Sequence, residues 1–224
     1  MEKTLAFDVY GTLINTSGIY ETLHEMMGEP AGRFMASWRD KQLEYSFRRG
    51  VMNQHTDFSV CTRNSLNYCC TRFDINLTDE QRKSLMDTYK ILPAFPDVAE
   101  SVASCRRAGY GVYAFSNGSA SAVSGLLTHA GILDQFDGVI STEKVRMFKP
   151  SPVVYNHFLT ATKSEAQHTW LISGNPFDVI GAAACGWNTA WVKRMKEAQF
   201  DPWDYSPTIT ISGLDQLLTS LSET

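Results

Sequence analysis

The stretch TLAFDVYGTL, residues 4–13, decides how the rest of the chain is read. Residues 4–7 form a short apolar run that ends in Asp8, and Gly11 breaks the chain soon after. A run of this kind, closed by a turn signal, reads as a buried strand followed by a turn. From residue 93 onward the same pattern recurs. Strands are expected at 111–115, 138–140, 169–172, 189–192 and 208–211, and helices at 96–108, 119–129, 152–162, 176–185 and 214–221. Pro96, Pro152 and Pro176 stand where helices open, and Gly109, Gly131 and Gly186 stand where they stop, which is the usual asymmetry of these two residues. Repeated strand–helix units imply an α/β fold with a parallel sheet and helices on both faces.

Between the first strand and residue 93 the chain changes character. Residues 18–89 hold one proline, Pro30, and few β-branched runs, with helical patches at 34–47 and 79–89. Thr78 followed by Gln81 three residues on is a capping-box signature. Residues 15–92 therefore read as a helical cap domain inserted into a core made of residues 1–14 and 93–224. Met26, Met27 and Trp203 read as packing residues.

A chain of 224 residues can bury one good core and carry a small second unit. A net charge of −4 argues against a nucleic-acid partner, which favours a basic face. No apolar run approaches the ~20 residues of a membrane span, and the N-terminus lacks the pattern of a signal peptide. The five cysteines are an odd number without a CxxC pair, which argues against zinc and against a disulfide framework. The expected location is cytoplasmic.

In parallel α/β sheets ligands bind beyond the carboxyl ends of the strands. Those ends carry Asp8, then Ser116 with Asn117, then Ser173 with Asn175 and Asp178. Each alone is an ordinary turn residue. Small polar groups converging from three strand ends point to a site.

These residues also carry a family resemblance. FDVYGTL (residues 7–13), SNG (116–118), Lys149 within FKP (148–150) and SGNPFD (173–178) resemble, in order, the four motifs of the haloacid dehalogenase superfamily. The helical insertion matches that superfamily's cap, over a Rossmann-like core. Within the superfamily the chain most resembles the L-2-haloacid dehalogenases. Tyr10 stands where phosphatases carry a second Asp, and the fourth motif holds one carboxylate, Asp178, preceded by Ser173 and Gly174. WRDKQLEYSF (38–47) is similar to the dehalogenase cap, whose Arg matches Arg39, and the run Tyr155-Asn156-His157 is also similar to theirs.

The resemblance implies conversion of (S)-2-haloacids to (R)-2-hydroxy acids through an ester on Asp8, with no metal and no other cofactor. Lys149 would be the counter-charge of Asp8, and Thr12 would bond Asp8 or close the turn. Ser116, Asn117 and Arg39 would hold the substrate carboxylate and the halide. Tyr10, Phe58 and Phe177 would line the substrate pocket, with Phe177 replacing the family's usual Trp and losing its N–H donor. Tyr155 is also placed at this site, where it could orient Lys149. Ser173, Asn175 and Asp178 would position water and Lys149, with Asp178 acting as base directly or through Lys149. The implied partners are a 2-haloalkanoate and a halide ion, and a homodimer is the family habit. Two other readings stay open at this point: a small-molecule phosphatase with an aspartyl-phosphate intermediate, and a binding protein that kept the fold.

Overall fold

The computed structural model describes residues 3–224. Its centre is strand β1 (Thr4–Asp8), whose five residues are all buried. A central parallel strand is covered on both faces, so it reads as a continuous apolar run. Four helices follow: α1 (Ser17–Met27), α2 (Ala31–Val51), α3 (Phe58–Phe73) and α4 (Asp79–Thr88). The chain then alternates: α5 (Val98–Arg107), β2 (Gly111–Ser116), α6 (Ala120–His129), β3 (Gly138–Ser141), α7 (Pro152–Thr162), β4 (Thr169–Ser173), α8 (Pro176–Ala184), β5 (Asn188–Val192), β6 (Ile209–Ile211) and α9 (Leu217–Ser222).

The sheet is parallel, with strand order β3-β2-β1-β4-β5-β6. The order reverses between β1 and β4, and such a switch point leaves a crevice at the strand ends. Register levels the polar ends: Asp8 pairs with Phe115 and Phe7 with Ile172. Ser116 and Ser173 therefore come level with Asp8 or one residue beyond it.

The loops leaving β1 and β4 meet backbone to backbone. Gly11 has φ +78°, and a Cβ at Gly174 would stand 2.6 Å from the Gly11 carbonyl oxygen. Gly174 is required by that close approach, and Gly11 by its left-handed backbone.

The helical insertion leaves and returns at one place. The Asn15 amide donates to the Pro93 carbonyl at 2.8 Å, the Phe95 amide donates to the Leu13 carbonyl at 2.9 Å, and Ile14 and Ala94 form an antiparallel bridge. The capping box at Thr78 forms as expected: Gln81 N donates to Thr78 Oγ1 at 3.2 Å, and Thr78 N donates to Gln81 Oε1 at 2.9 Å. Helix α2 crosses α3 through Trp38, whose indole N–H donates to the Thr62 carbonyl at 2.8 Å.

Several expectations are corrected in detail. The helix expected from Pro96 begins at Val98, because Pro96 and Asp97 form the turn that carries Val98 N to the Phe95 carbonyl. The last helix is split into a 3-10 turn at Leu214–Gln216 and α9. Trp203 is 65% exposed instead of packed, whereas Met26 and Met27 do pack on the core. All five cysteines carry free thiols. Among the described residues, no helix is long and apolar enough to cross a membrane.

Candidate active site

Asp8 ends β1 and is 8% exposed. One carboxylate oxygen accepts from Thr12 Oγ1 at 2.8 Å and from Asn175 Nδ2 at 2.7 Å, and the other accepts from Lys149 Nζ at 3.1 Å. Thr12 in turn accepts from the Gly174 amide at 2.8 Å, so the close glycine contact between the two loops fixes the hydroxyl that faces Asp8.

Lys149 is 1% exposed. Its ammonium donates to Asp8, to Asp178 Oδ2 at 2.7 Å and to the Phe115 carbonyl at 2.9 Å. An ammonium has three N–H donors, and these three acceptors use them all. A neutral amine would leave one buried acceptor without a partner, which is costly. Burial works against the charged form, but Asp178 and Asp8 together outweigh it and raise the Lys149 pKa above its ordinary value.

Asp178, in the first turn of α8, is fully buried. Its second oxygen accepts from the Tyr155 hydroxyl at 2.8 Å. Burial pushes its carboxyl above the usual range, with Lys149 opposing the shift and Asp8 reinforcing it.

The helical insertion contributes Arg39 from α2. Its guanidinium donates to Asn175 Oδ1 at 3.2 Å and to Gln42 Oε1 at 2.7 Å. Asn175 thus touches Arg39 with its oxygen and Asp8 with its nitrogen, and the same nitrogen donates to the Tyr10 carbonyl at 3.1 Å. Tyr10, Arg39 and Tyr89 form a wall shared by two cavities of about 280 Å³ each. The first is also lined by Phe58, Met86 and Gly118, and the second by Gly174 and Asn175. Burial pushes the Tyr10 phenol up to about 12, against Arg39, so it remains a neutral hydroxyl at ordinary pH.

The expected residues fall into two groups. Asp8, Thr12, Lys149, Asn175 and Asp178 are joined by hydrogen bonds, and Arg39 reaches them through Asn175. The others stand one step back. Ser173 accepts from the Asn175 amide at 3.1 Å, Asn117 Oδ1 accepts from the Lys149 amide at 2.9 Å, and Ser116 accepts from the Gly118 amide at 3.1 Å. Tyr155, expected at the substrate, is fully buried and bonds Asp178, so it reaches Lys149 only through that carboxylate. Phe58 lines the first cavity, while Phe177 packs edge-on against Phe47 with ring centres 5.4 Å apart.

Sequence reasoning missed three contributors. The Phe115 carbonyl and the Gly174 amide are backbone groups with no side-chain signature. Gln42 was findable, because it lies three residues after Arg39, on the same face of a helix.

A parallel α/β sheet with a braced aspartate at its switch point, facing a helical insertion, defines a class of hydrolase. A family model described as haloacid dehalogenase-like hydrolase matches residues 2–186, and the chain belongs to that family. The (S)-2-haloacid dehalogenase of Pseudomonas sp. (strain YL) is 30% identical over 212 residues, spanning 95% of this chain and 91% of that protein. Haloacetate dehalogenase H-2 of Moraxella sp. (strain B) is 29% identical over 216 residues, spanning 96% of each. The structure of L-2-haloacid dehalogenase from Xanthobacter autotrophicus with chloropropionic acid covalently bound is similar with a TM-score of 0.91 and 26% identity, covering 99% of each chain.

Proposed function

We propose that this protein hydrolyses (S)-2-haloalkanoates to (R)-2-hydroxy acids and halide, with inversion. The observation that carries this reading is the Lys149 ammonium seated between Asp8 and Asp178, at 3.1 and 2.7 Å. It places a positive charge in direct contact with the Asp8 carboxylate. Mg²⁺ needs several oxygen ligands, usually including carboxylates, and here the two carboxylates, Asp8 and Asp178, are both bonded to the Lys149 ammonium. These residues do not fit a magnesium site.

Asp8 attacks C2 from the side opposite the halogen. The new bond joins an Asp8 oxygen to C2, and the halide departs with the electron pair of the broken bond. A halide is a stable anion and needs no acid, which suits Tyr10, a phenol held near 12, at the position where a phosphatase carries an acid. Arg39 offers a planar fork of donors to the leaving halide. Ser116 and Asn117 stand at the end of β2 for the substrate carboxylate, and Phe58 walls the cavity. Water then adds to the Asp8 carboxyl carbon and gives its proton to Asp178, directly or through Lys149. The bond from that carbon to the oxygen carried by C2 then breaks, the departing oxygen takes that proton to become the product hydroxyl, and Asp8 keeps the oxygen from water. Residues 15–92 serve as a cap, a role supported by their paired exit and return beside Asn15 and Pro93. The free thiols agree with a reducing, cytoplasmic setting.

The test is halide release from (S)-2-chloropropionate and phosphate release from p-nitrophenyl phosphate, each with EDTA and with added Mg²⁺. Halide release unaffected by EDTA is expected. Phosphate release that requires Mg²⁺, without halide release, would replace this reading with the phosphatase.

A further inference from the structure

Gln42 is 1% exposed and bonds the Arg39 side chain. Buried amides keep both ends paired, and here the orientation of the amide is determined by its neighbours. Thr62, on α3, has one hydroxyl proton, which it donates to the Phe58 carbonyl at 3.1 Å. Toward Gln42 it can only accept, and it does so from Nε2 at 2.6 Å. The amide oxygen must then face Arg39, where it accepts from Nη1 at 2.7 Å. Arginine has only donors, so both ends of the amide agree on one orientation.

Thr62 is itself anchored twice to α2. Gln42 bonds its hydroxyl, and Trp38, four residues earlier on the same helix face, bonds its carbonyl at 2.8 Å. One hydrogen-bonded chain therefore runs from the Phe58 carbonyl through Thr62, Gln42, Arg39 and Asn175 to Asp8. It ties the guanidinium to the helix whose first residue, Phe58, lines the cavity.

We infer that Gln42, backed by Thr62, is a positioning residue that holds Arg39 in the orientation in which it receives a halide. The inference rests on the reading of Arg39 as the halide acceptor. The chemistry of the position is specific. A neutral amide accepts one Arg39 proton without cancelling its charge, and leaves three of five guanidinium N–H groups to an anion. A carboxylate there would form a buried ion pair with Arg39 and weaken its field on the halide. An apolar side chain would leave Arg39 anchored on one side only.

The experiment titrates sodium bromide against the whole protein, followed by the guanidinium ¹⁵N resonance of Arg39, so that binding is read without turnover. Gln42→Leu is expected to weaken bromide by about 10–100-fold, the loss typical when the outer partner of a metal ligand is removed. Gln42→Glu is expected to bind bromide at low pH, where its acid is neutral and shaped like the amide. Its affinity should then fall more steeply than wild type as pH rises through the introduced carboxyl. Thr62→Ser should bind more tightly than Thr62→Val, since only the first keeps the hydroxyl. In steady-state assays of Gln42→Leu the loss should fall on kcat more than on KM, because the halide leaves in the chemical step.

Wild-type bromide affinity in Gln42→Leu, or a pH profile of Gln42→Glu parallel to wild type, would overturn the inference. So would wild-type protein that binds no bromide at Arg39. If Gln42→Leu does not fold, the pH profile of Gln42→Glu decides alone. A wild-type enzyme that binds bromide but releases no halide from any 2-haloacid would sink the proposed reaction and leave this positioning role standing.

Discussion

The sheet end and the helical insertion approach the same carboxylate in different ways. At the sheet end, Asp8, Lys149 and Asp178 are 8%, 1% and 0% exposed, and Lys149 has every N–H committed. On the insertion, Arg39 is half-buried, donates two bonds to neutral amides and faces two cavities. The contrast separates two tasks. The charged trio is bonded to itself before any ligand arrives, as the proposed nucleophilic role of Asp8 would require. The arginine arm keeps donors in reserve, as the proposed halide-receiving role of Arg39 would require. Asn175 is where the two meet, with one amide end on each.

The largest effect is expected from breaking the finished side. Lys149→Met leaves Asp8 and Asp178 buried together without their cation. Loss of one partner from such a buried pair typically costs about 3–5 kcal/mol, and activity should vanish. The raised pKa of Lys149 also sets a sign. Its stabilisation is fully present below its unfolded-state value, 10.5, and is lost as pH rises through the higher folded value. Wild type should therefore lose stability at strongly alkaline pH, and Lys149→Met should lack that component. Denaturant melts of both proteins across the alkaline range check this; equal alkaline losses would show that Lys149 is not the titrating group.

A smaller effect is expected on the insertion side. Arg39→Lys keeps the charge but replaces a planar fork with a point charge. Loss of one preorganised donor at developing charge costs about 10²–10³ in rate. Stability should change little, because the neighbours of Arg39 are neutral amides. Wild-type turnover in Arg39→Lys would remove Arg39 from halide handling and erase the division of tasks.

The smallest effect concerns Phe177, which packs on Phe47. Phe177→Trp restores the N–H donor usual in the family but enlarges the ring in a packed contact, and overpacking costs about 1–3 kcal/mol. A change of a few-fold in kcat, differing between chloro and bromo substrates, is expected if the indole reaches the halide. Identical kinetics for both halogens would show that this corner takes no part.

The two regions also differ in how legible they were. The sheet was readable because its strands are short apolar runs punctuated by Pro and Gly, and β4 and β5 appear within a residue of their expected limits. Helix α3 was not individually readable. Its sequence, FSVCTRNSLNYCCTRF, buries Thr62 and Ser65 alongside cysteines, and their hydroxyls are satisfied by carbonyls one turn back. Candidates such as Asp8 and Lys149 could be named from motif order and spacing, and the structure brings them within 3.1 Å of each other. The spacing of Gln42 from Arg39 was visible locally, but its second partner, Thr62, depends on where α3 crosses α2, a tertiary fact. Tyr155 was expected at the substrate, but the packing of α7 on α8 buries it against Asp178.

The central claim is that Asp8 attacks carbon, and a single turnover in H₂¹⁸O tests it most directly. Enzyme is held in excess over an (S)-2-haloacid, and the product and the peptide containing Asp8 are analysed by mass. The account predicts unlabelled (R)-2-hydroxy acid and one ¹⁸O in Asp8, because the product oxygen comes from the carboxylate and water refills it. Label in the first-turnover product with none in Asp8 would make Asp8 a base for direct attack by water, and would contradict the ester mechanism.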